Sequence, residues 1–137
     1  MSQEEKELLL KDLCVRLPYG VKINESTQGD FTVIGLTTER VFTTCETEGC
    51  HNDFPIECIK PYLLPMSRMT DKQKVEYNSL RDLVPTEQQC EVGNLLCDYE
   101  FVDNWMSIDY LNANHFDYRD LIEKGLAIDA TGLNIYC

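Results

Sequence analysis

FVDNWMSIDYLNANHFDYRDLIEKGLAI, residues 101–128, is the stretch whose reading decides the fold. Phe101, Trp105, Ile108 and Leu111 recur at spacings of four, three and three. That spacing predicts an apolar stripe on one helix face, with Asp103 and Asp109 off the stripe. Burying Phe101 and Trp105 in a core would contribute on the order of 2–3 kcal/mol each. The helix should stop between positions 112 and 115, because Asn favours caps and turns over helix interiors. Asp117 then predicts the N-cap of a second, shorter helix with Asp120 in its first turn. Leu121 and Ile122 would be its core residues, Lys124 would sit in the last turn, and Gly125 would close it in the left-handed conformation. Residues 126–136 predict a hairpin: LAI, a turn over 129–132, then LNIY.

Two helices and a hairpin are the parts of a winged helix, but the charge argues against DNA reading. From residue 101 to 137 the only bases are Arg119 and Lys124, against six acids. A phosphate-contacting surface needs the opposite balance. The whole chain carries 12 Lys and Arg against 24 Asp and Glu, a net charge of −12. Direct binding to nucleic acid or to an anionic membrane is excluded on that ground, whereas a basic partner or imitation of nucleic-acid charge is permitted. The same acids also serve solubility.

Outward from this stretch, the 137 residues, 43% apolar, suit one domain made of a β-rich half (14–66) and a helical half (70–137) that ends in the hairpin. Ser2 and Glu5 form a capping box opening a short helix over 2–14, with Leu9 and Leu13 on one face. Residues 15–65 read as short strands: VRLPYGVKI, FTVIGL, RVFTTC and FPIECIKPYLL, with a tight turn over 37–39. Strands so short and so closely turned predict a small antiparallel sheet of the SH3-like barrel type. Thr70 and Gln73 form a second capping box, for a helix over 70–83. Residues 85–93 are a polar linker and the best internal boundary. The fold class is therefore α+β. The start, MSQEEKELLLKDLC, is acidic and its apolar run is too short for a signal peptide, so a cytoplasmic setting is expected. Seven Cys without an export signal read as reduced thiols.

Cys45, Cys50, His51 and Cys58 lie close enough in sequence for a zinc-stabilised module. Their spacing, C-x4-C-H-x6-C, lacks the usual C-x2-C knuckle, and the competing reading makes them small strand residues and a loop tip. A Cys–His nucleophile has no surrounding signature. Carboxylate pairs such as Asp103 with Asp109, or Asp117 with Asp120, could serve hydrolysis, but in so acidic a chain they read first as caps and a solvated face. No phosphate loop, G-x-S-x-G or H-E-x-x-H is present. His115 could act as base or ligand; its structural role would be to satisfy carbonyls at a helix end. No cofactor and no catalytic residue is expected, and the chain reads as a non-enzyme.

The aromatics carry the functional expectation. Tyr62, Tyr77, Tyr99, Tyr110, Tyr118 and Trp105 are too many to bury in a small fold, and Tyr beside carboxylates is common on protein–protein surfaces. Tyr110, His115, Asp117, Tyr118 and Arg119 are the expected contact residues for a protein partner.

Three segments, LPYGVK (17–22), IKPYLLPMSRMT (59–70) and DYLNANHFDYRDLIEKGLAI (109–128), resemble uncharacterised small proteins of gut Bacteroidales and their phages and prophages. The resemblance touches both ends of the chain and the middle strand. It departs at Asp120, where a Gly would be expected in the DYR-x-LIEKG run. It implies a genomic setting and no mechanism. In that setting small acidic proteins serve as accessory factors that bind a host- or phage-encoded protein, some by imitating DNA charge, or as minor assembly proteins. The leading expectation is an accessory protein that binds another protein through an acidic, Tyr-bearing surface. The alternatives are the zinc-stabilised module and an acidic nucleic-acid mimic that inhibits a host enzyme.

Overall fold

A computed structural model describes residues 1–44, 51–85 and 99–136. The fold is α+β, with three α-helices and a mostly antiparallel sheet. It divides into two compact units: a first unit, Met1–Arg68 with Asn112–Cys137, and an inserted unit, Met69–Leu111.

The first unit opens with α1 (Gln3–Arg16), started by the expected capping box. Ser2 Oγ accepts from the Glu5 N–H at 3.1 Å, and Glu5 Oε1 accepts from the Ser2 N–H at 3.3 Å. Leu9 and Leu13, one turn apart, are fully buried. The helix runs to Arg16, further than its sequence suggests. A 3-10 turn (Leu17–Tyr19) follows, closed by Gly20 at φ 69°. The first strand therefore starts late, because Pro18 favours the first turn of a helix over a strand interior.

The strands are β1 (Lys22–Glu25), β2 (Gly29–Leu36), β3 (Arg40–Thr44), β4 (His51–Pro55) and β5 (Ile59–Pro65). They lie in the order β4-β3-β2-β1-β5 and every neighbouring pair is antiparallel. The run FPIECIKPYLL, expected as one strand, is split by a 3-10 turn (Ile56–Cys58) that carries the chain from β4 across to β1's free edge. A four-strand meander whose fifth strand returns to the first through a 3-10 turn has the strand order of an SH3-like sheet. Pro61 lies inside β5, opposite Ile23, at a position ahead of the first residue that pairs on β5's other side, so its missing N–H costs no ladder bond there. The core packs α1 against the inward side of the sheet: Leu13 of the helix, Ile23, Val41 and Leu63 of the strands and Ile56 of the 3-10 turn are all fully buried. Each contributes roughly 1.5–3 kcal/mol relative to exposure.

The C-terminal part of this unit, two short strands with a turn after each, extends β5. The strands β8 (Phe116–Asp117) and β9 (Ile128–Asp129) each join β5 in parallel, at Leu64–Pro65 and Tyr62–Leu63. Between them, residues 117–125 form a capped turn and not the expected second helix. Asp117 does cap it, and Gly125 does take φ 75°. The Leu121 carbonyl accepts from both Leu126 and Ala127, which ends the segment after one turn. Nucleating a helix is costly, and here strand pairing to β5 at both ends competes with lengthening it. The expected turn over 129–132 forms around the Asp129 carboxylate, which accepts from the Thr131 N–H and hydroxyl. The pairing partner of Ile128–Asp129 is β5 and not residues 133–136.

Asp120, where the resemblance leads to Gly, has φ 58°. A side chain is strained in that region and glycine is not. Asp120→Gly should raise stability by about 0.5 kcal/mol, the relief of strain exceeding the extra entropy of an unfolded glycine. A urea midpoint that moves down would contradict this.

The inserted unit holds α2 (Asp71–Leu80), β6 (Asp82–Pro85), β7 (Tyr99–Val102) and most of α3 (Trp105–Ala113). The Thr70–Gln73 capping box forms as expected. Phe101 belongs to β7, so the helix begins at Trp105 and its buried residues are Ser107, Leu111 and Asn112. The expected burial of Trp105 and Phe101 is corrected: Trp105 is 74% and Phe101 45% exposed. Asn104 caps α3 instead, its Oδ1 accepting from the Ser107 N–H at 3.0 Å. A cap one residue before Trp105 starts the helix beyond Phe101 and breaks the stripe. No helix among the described residues is long and apolar enough to cross a membrane.

Candidate functional site

Two places concentrate unusual chemistry, one in each unit. In the first unit, α1 buries a charged cluster. Asp12 and Arg16, one helical turn apart, are both fully buried. Arg16 Nε donates to Asp12 Oδ2 at 2.7 Å, and Nη2 donates to the Phe116 carbonyl at 2.6 Å. Arg119 Nε lies 3.3 Å from Asp12 Oδ1. The Tyr118 ring is flanked by both guanidinium groups, at 5.3 Å from Arg16 and 5.2 Å from Arg119. Burial raises the Asp12 pKa, and the Arg16 and Arg119 charges oppose that rise. The arrangement clamps the C-terminal strand β8 onto α1.

Each expected contact residue can now be placed. Asp117 is buried, and its carboxylate accepts from the backbone N–H groups of Arg119, Leu121 and Ile122. His115 is 9% exposed and stacks on Tyr136 at 3.5 Å between ring centroids. Neither is a surface contact, which corrects that part of the expectation: both close the C-terminal segment from within. Tyr118 and Arg119 are half-buried and belong to the clamp. Tyr110 belongs to the inserted unit and the other four to the first. Its hydroxyl donates to Glu76 Oε2 at 2.7 Å and its ring stacks on Tyr77. Tyr77 in turn donates to Asp103. The described tyrosines expected as contacts thus spend their hydroxyls inside their own units.

His115 also differs from its expected helix-end role. Its backbone N–H donates to the Asn112 carbonyl, while ring atom Nδ1 is buried with no hydrogen-bond partner. The Tyr136 hydroxyl secures the stack by accepting from the Lys22 N–H and donating to the Tyr62 carbonyl, each at 2.8 Å. Burial, with the Arg16 and Lys22 charges, pushes the His115 pKa down to about 4. Tyr62, Tyr77, Tyr110 and Tyr136 are all pushed up to about 12, chiefly by burial. General acid–base work at neutral pH asks for shifts in the other direction.

A lowered His pKa means that the unfolded chain takes the proton first as pH falls. The His115 contribution is therefore complete above about pH 6.5 and is lost between about 6.5 and 4, by about 3 kcal/mol in all. Stability measured by urea denaturation should fall across that window. His115→Asn, which tolerates the left-handed backbone at φ 64°, should flatten the fall. An unchanged pH slope in the variant would refute the assignment.

The zinc set is only partly within view. Cys45 and Cys50 lie outside the described residues. His51 sits on the exposed side of β4 and Cys58 is an exposed free thiol in the 3-10 turn. Among the described residues no three His, Cys, Asp or Glu side chains converge as a metal site. The Asp117–Asp120 pair borders a depression of about 240 Å³ with Pro65, Met66, Ile122 and Glu123. The carboxylate of Asp117 is already held by three N–H groups, as described. Asp103 accepts from the Ser107 hydroxyl at 3.1 Å and pairs with Arg81 at 3.3 Å, while Asp109 is exposed on α3.

The second place is the inserted unit. β6 and β7 form a two-stranded antiparallel ribbon, and among the described residues neither pairs with another strand. Leu83 and Phe101 face each other across it, and Leu83 is 57% exposed. Arg81 braces the ribbon from below, its guanidinium over the Tyr77 and Phe101 rings and its Nη2 donating to the Phe101 carbonyl. Val102, Trp105 and Met106 add further exposed apolar side chains. Residues 82–111 contain seven acids and no Lys or Arg. Sequence reasoning took Phe101 and Trp105 for core because their spacing is helical. The sign that they are not is the charge run around them and the Asn104 cap.

Comparison with protein-family models, curated proteins and solved structures finds no match to this chain.

Proposed function

We propose that the chain is a non-enzymatic, cytoplasmic accessory protein, phage- or prophage-associated, that binds another protein through the acidic surface of its inserted unit. The observation that supports this most is the open apolar ribbon, Leu83 opposite Phe101, followed by Trp105 three-quarters exposed. A ribbon of two strands is marginal on its own, and exposed apolar side chains with a polar surround mark interaction surfaces. Trp and Phe are the residues that anchor such contacts. The contact residues of this reading are Leu83, Phe101 and Trp105; Tyr110 supports the unit from inside.

Affinity capture from a Bacteroidales lysate, with and without phage infection, tests the reading. The wild-type chain should enrich a partner that the Leu83→Ser/Phe101→Ser variant loses. Circular dichroism of the variant should be unchanged, because both side chains already face solvent. Equal capture by both proteins, or none by either, would overturn the reading.

A further inference from the structure

We infer that the ribbon takes an extended partner segment in which apolar and basic residues alternate, added as a third strand. The inference rests on the protein-binding reading and names the partner's chemistry. Side chains of a strand alternate between its two faces, and directly paired residues share a face. The register Leu83↔Phe101 puts these two on one face. The register pairs Asp82↔Val102 and Val84↔Glu100 put two acids on the other, diagonally across from each other and each beside a valine. Asp82 and Glu100 are both exposed. A strand docked at a ribbon edge would continue both faces, so its alternate residues meet an apolar pair on one side and a carboxylate beside a valine on the other, which the charged end and the apolar stem of a Lys or Arg both fit.

The backbone supports a strand as the occupant. The ribbon has no further strand partner among the described residues, and an open strand edge offers backbone donors and acceptors to an extended chain. The charge selects the sequence of that strand. With Asp82 and Glu100 exposed on one face of the ribbon, a second copy of this chain would bring like charge to like charge, and so would an anionic lipid surface. A segment alternating Lys or Arg with Leu, Ile or Val satisfies both faces at once.

Trp105 is the only Trp in the chain and lies three residues beyond the ribbon, so its emission reports on the site. The full-length protein is titrated with a short peptide of alternating Lys and Leu. The comparison probes are a peptide of the same composition with Lys and Leu in two blocks, and one of alternating Glu and Leu. Saturable binding of the alternating Lys–Leu peptide, roughly tenfold tighter than the block peptide and absent for Glu–Leu, is expected. Leu83→Ser/Phe101→Ser should weaken it roughly tenfold, and Asp82→Asn/Glu100→Gln roughly threefold or more. Glu4→Gln/Glu7→Gln on α1, which removes the same charge from the other unit, should leave it unchanged. Equal binding of the block peptide would overturn the strand geometry. Equal weakening by the α1 variant would reduce the effect to general attraction by net charge, and a dimer by light scattering without peptide would make a second copy the occupant. A lysate partner lost in Leu83→Ser/Phe101→Ser but kept in Asp82→Asn/Glu100→Gln would sink the basic-strand inference and leave the protein-binding reading standing.

Discussion

Arg16→Ala is expected to destabilise the first unit by about 3–5 kcal/mol, because it strands a buried carboxylate. Arg16 holds Asp12 and the Phe116 carbonyl together, and it is fully buried with both. Without it, Asp12 keeps only Arg119 at 3.3 Å, and the β8 carbonyl loses its donor. The Arg16 stem also fills core volume, so part of the loss is packing. Urea denaturation followed by far-ultraviolet circular dichroism measures it; Trp105 is too exposed, and in the wrong unit, to report. Asp12→Leu/Arg16→Met removes both charges and keeps volume. It should cost far less than the sum of the single changes, since a buried pair returns little beyond its own desolvation. If Arg16→Ala costs under about 1 kcal/mol, water reaches the cluster and the clamp is not a dry one.

Phe116→Ala should cost about 3–5 kcal/mol, the range for deleting a buried aromatic. Phe116 is 1% exposed and sits in the two-residue strand β8, which pairs with β5 at Leu64 and Pro65. The change leaves a cavity beneath a strand too short to be held by backbone pairing. Its neighbours are coupled to it: His115 gives its carbonyl to the Leu64 N–H, and Asp117 caps the following turn. Hydrogen exchange at Leu64 and Leu121 should therefore speed up together with the global loss. Fast exchange confined to one of them would mean that the strand and the turn open independently.

How legible these features were depended on the range of the interactions behind them. Both capping boxes, Ser2–Glu5 and Thr70–Gln73, could be read because the partners lie three residues apart. The β2–β3 hairpin and the strand-rich half could be read from alternation and tight turns. Gly125 was legible as a left-handed stop. Phe101 and Trp105 were misplaced because a helical spacing of apolar residues does not say whether a helix covers all of them. Asn104 capping Ser107 removed Phe101 from the helix, and strand pairing with Leu83 took it up. Tyr110, His115, Asp117, Tyr118 and Arg119 look alike in sequence, as polar and aromatic residues in one short stretch. Contacts distant in sequence sort them: Tyr110 meets Glu76 and Tyr77, His115 stacks on Tyr136, and Tyr118 and Arg119 meet α1, about a hundred residues earlier.

The sequence by itself determined the α+β class, the two capping-box helix starts, the main hairpin and the acid excess. These follow from local backbone chemistry and from total charge, which need no partner far along the chain. Tertiary structure alone decided that Asp12 and Arg16 would be buried together, that residues 117–125 would stop after one turn, and that the apolar side chains of the inserted unit would face water. Each of those outcomes is a competition between local preference and a contact across long sequence separation. Pairing of β8 and β9 with β5, and the Arg16 bond to the Phe116 carbonyl, are the contacts that decided them in the first unit. In the inserted unit the pairing of β6 with β7 did so.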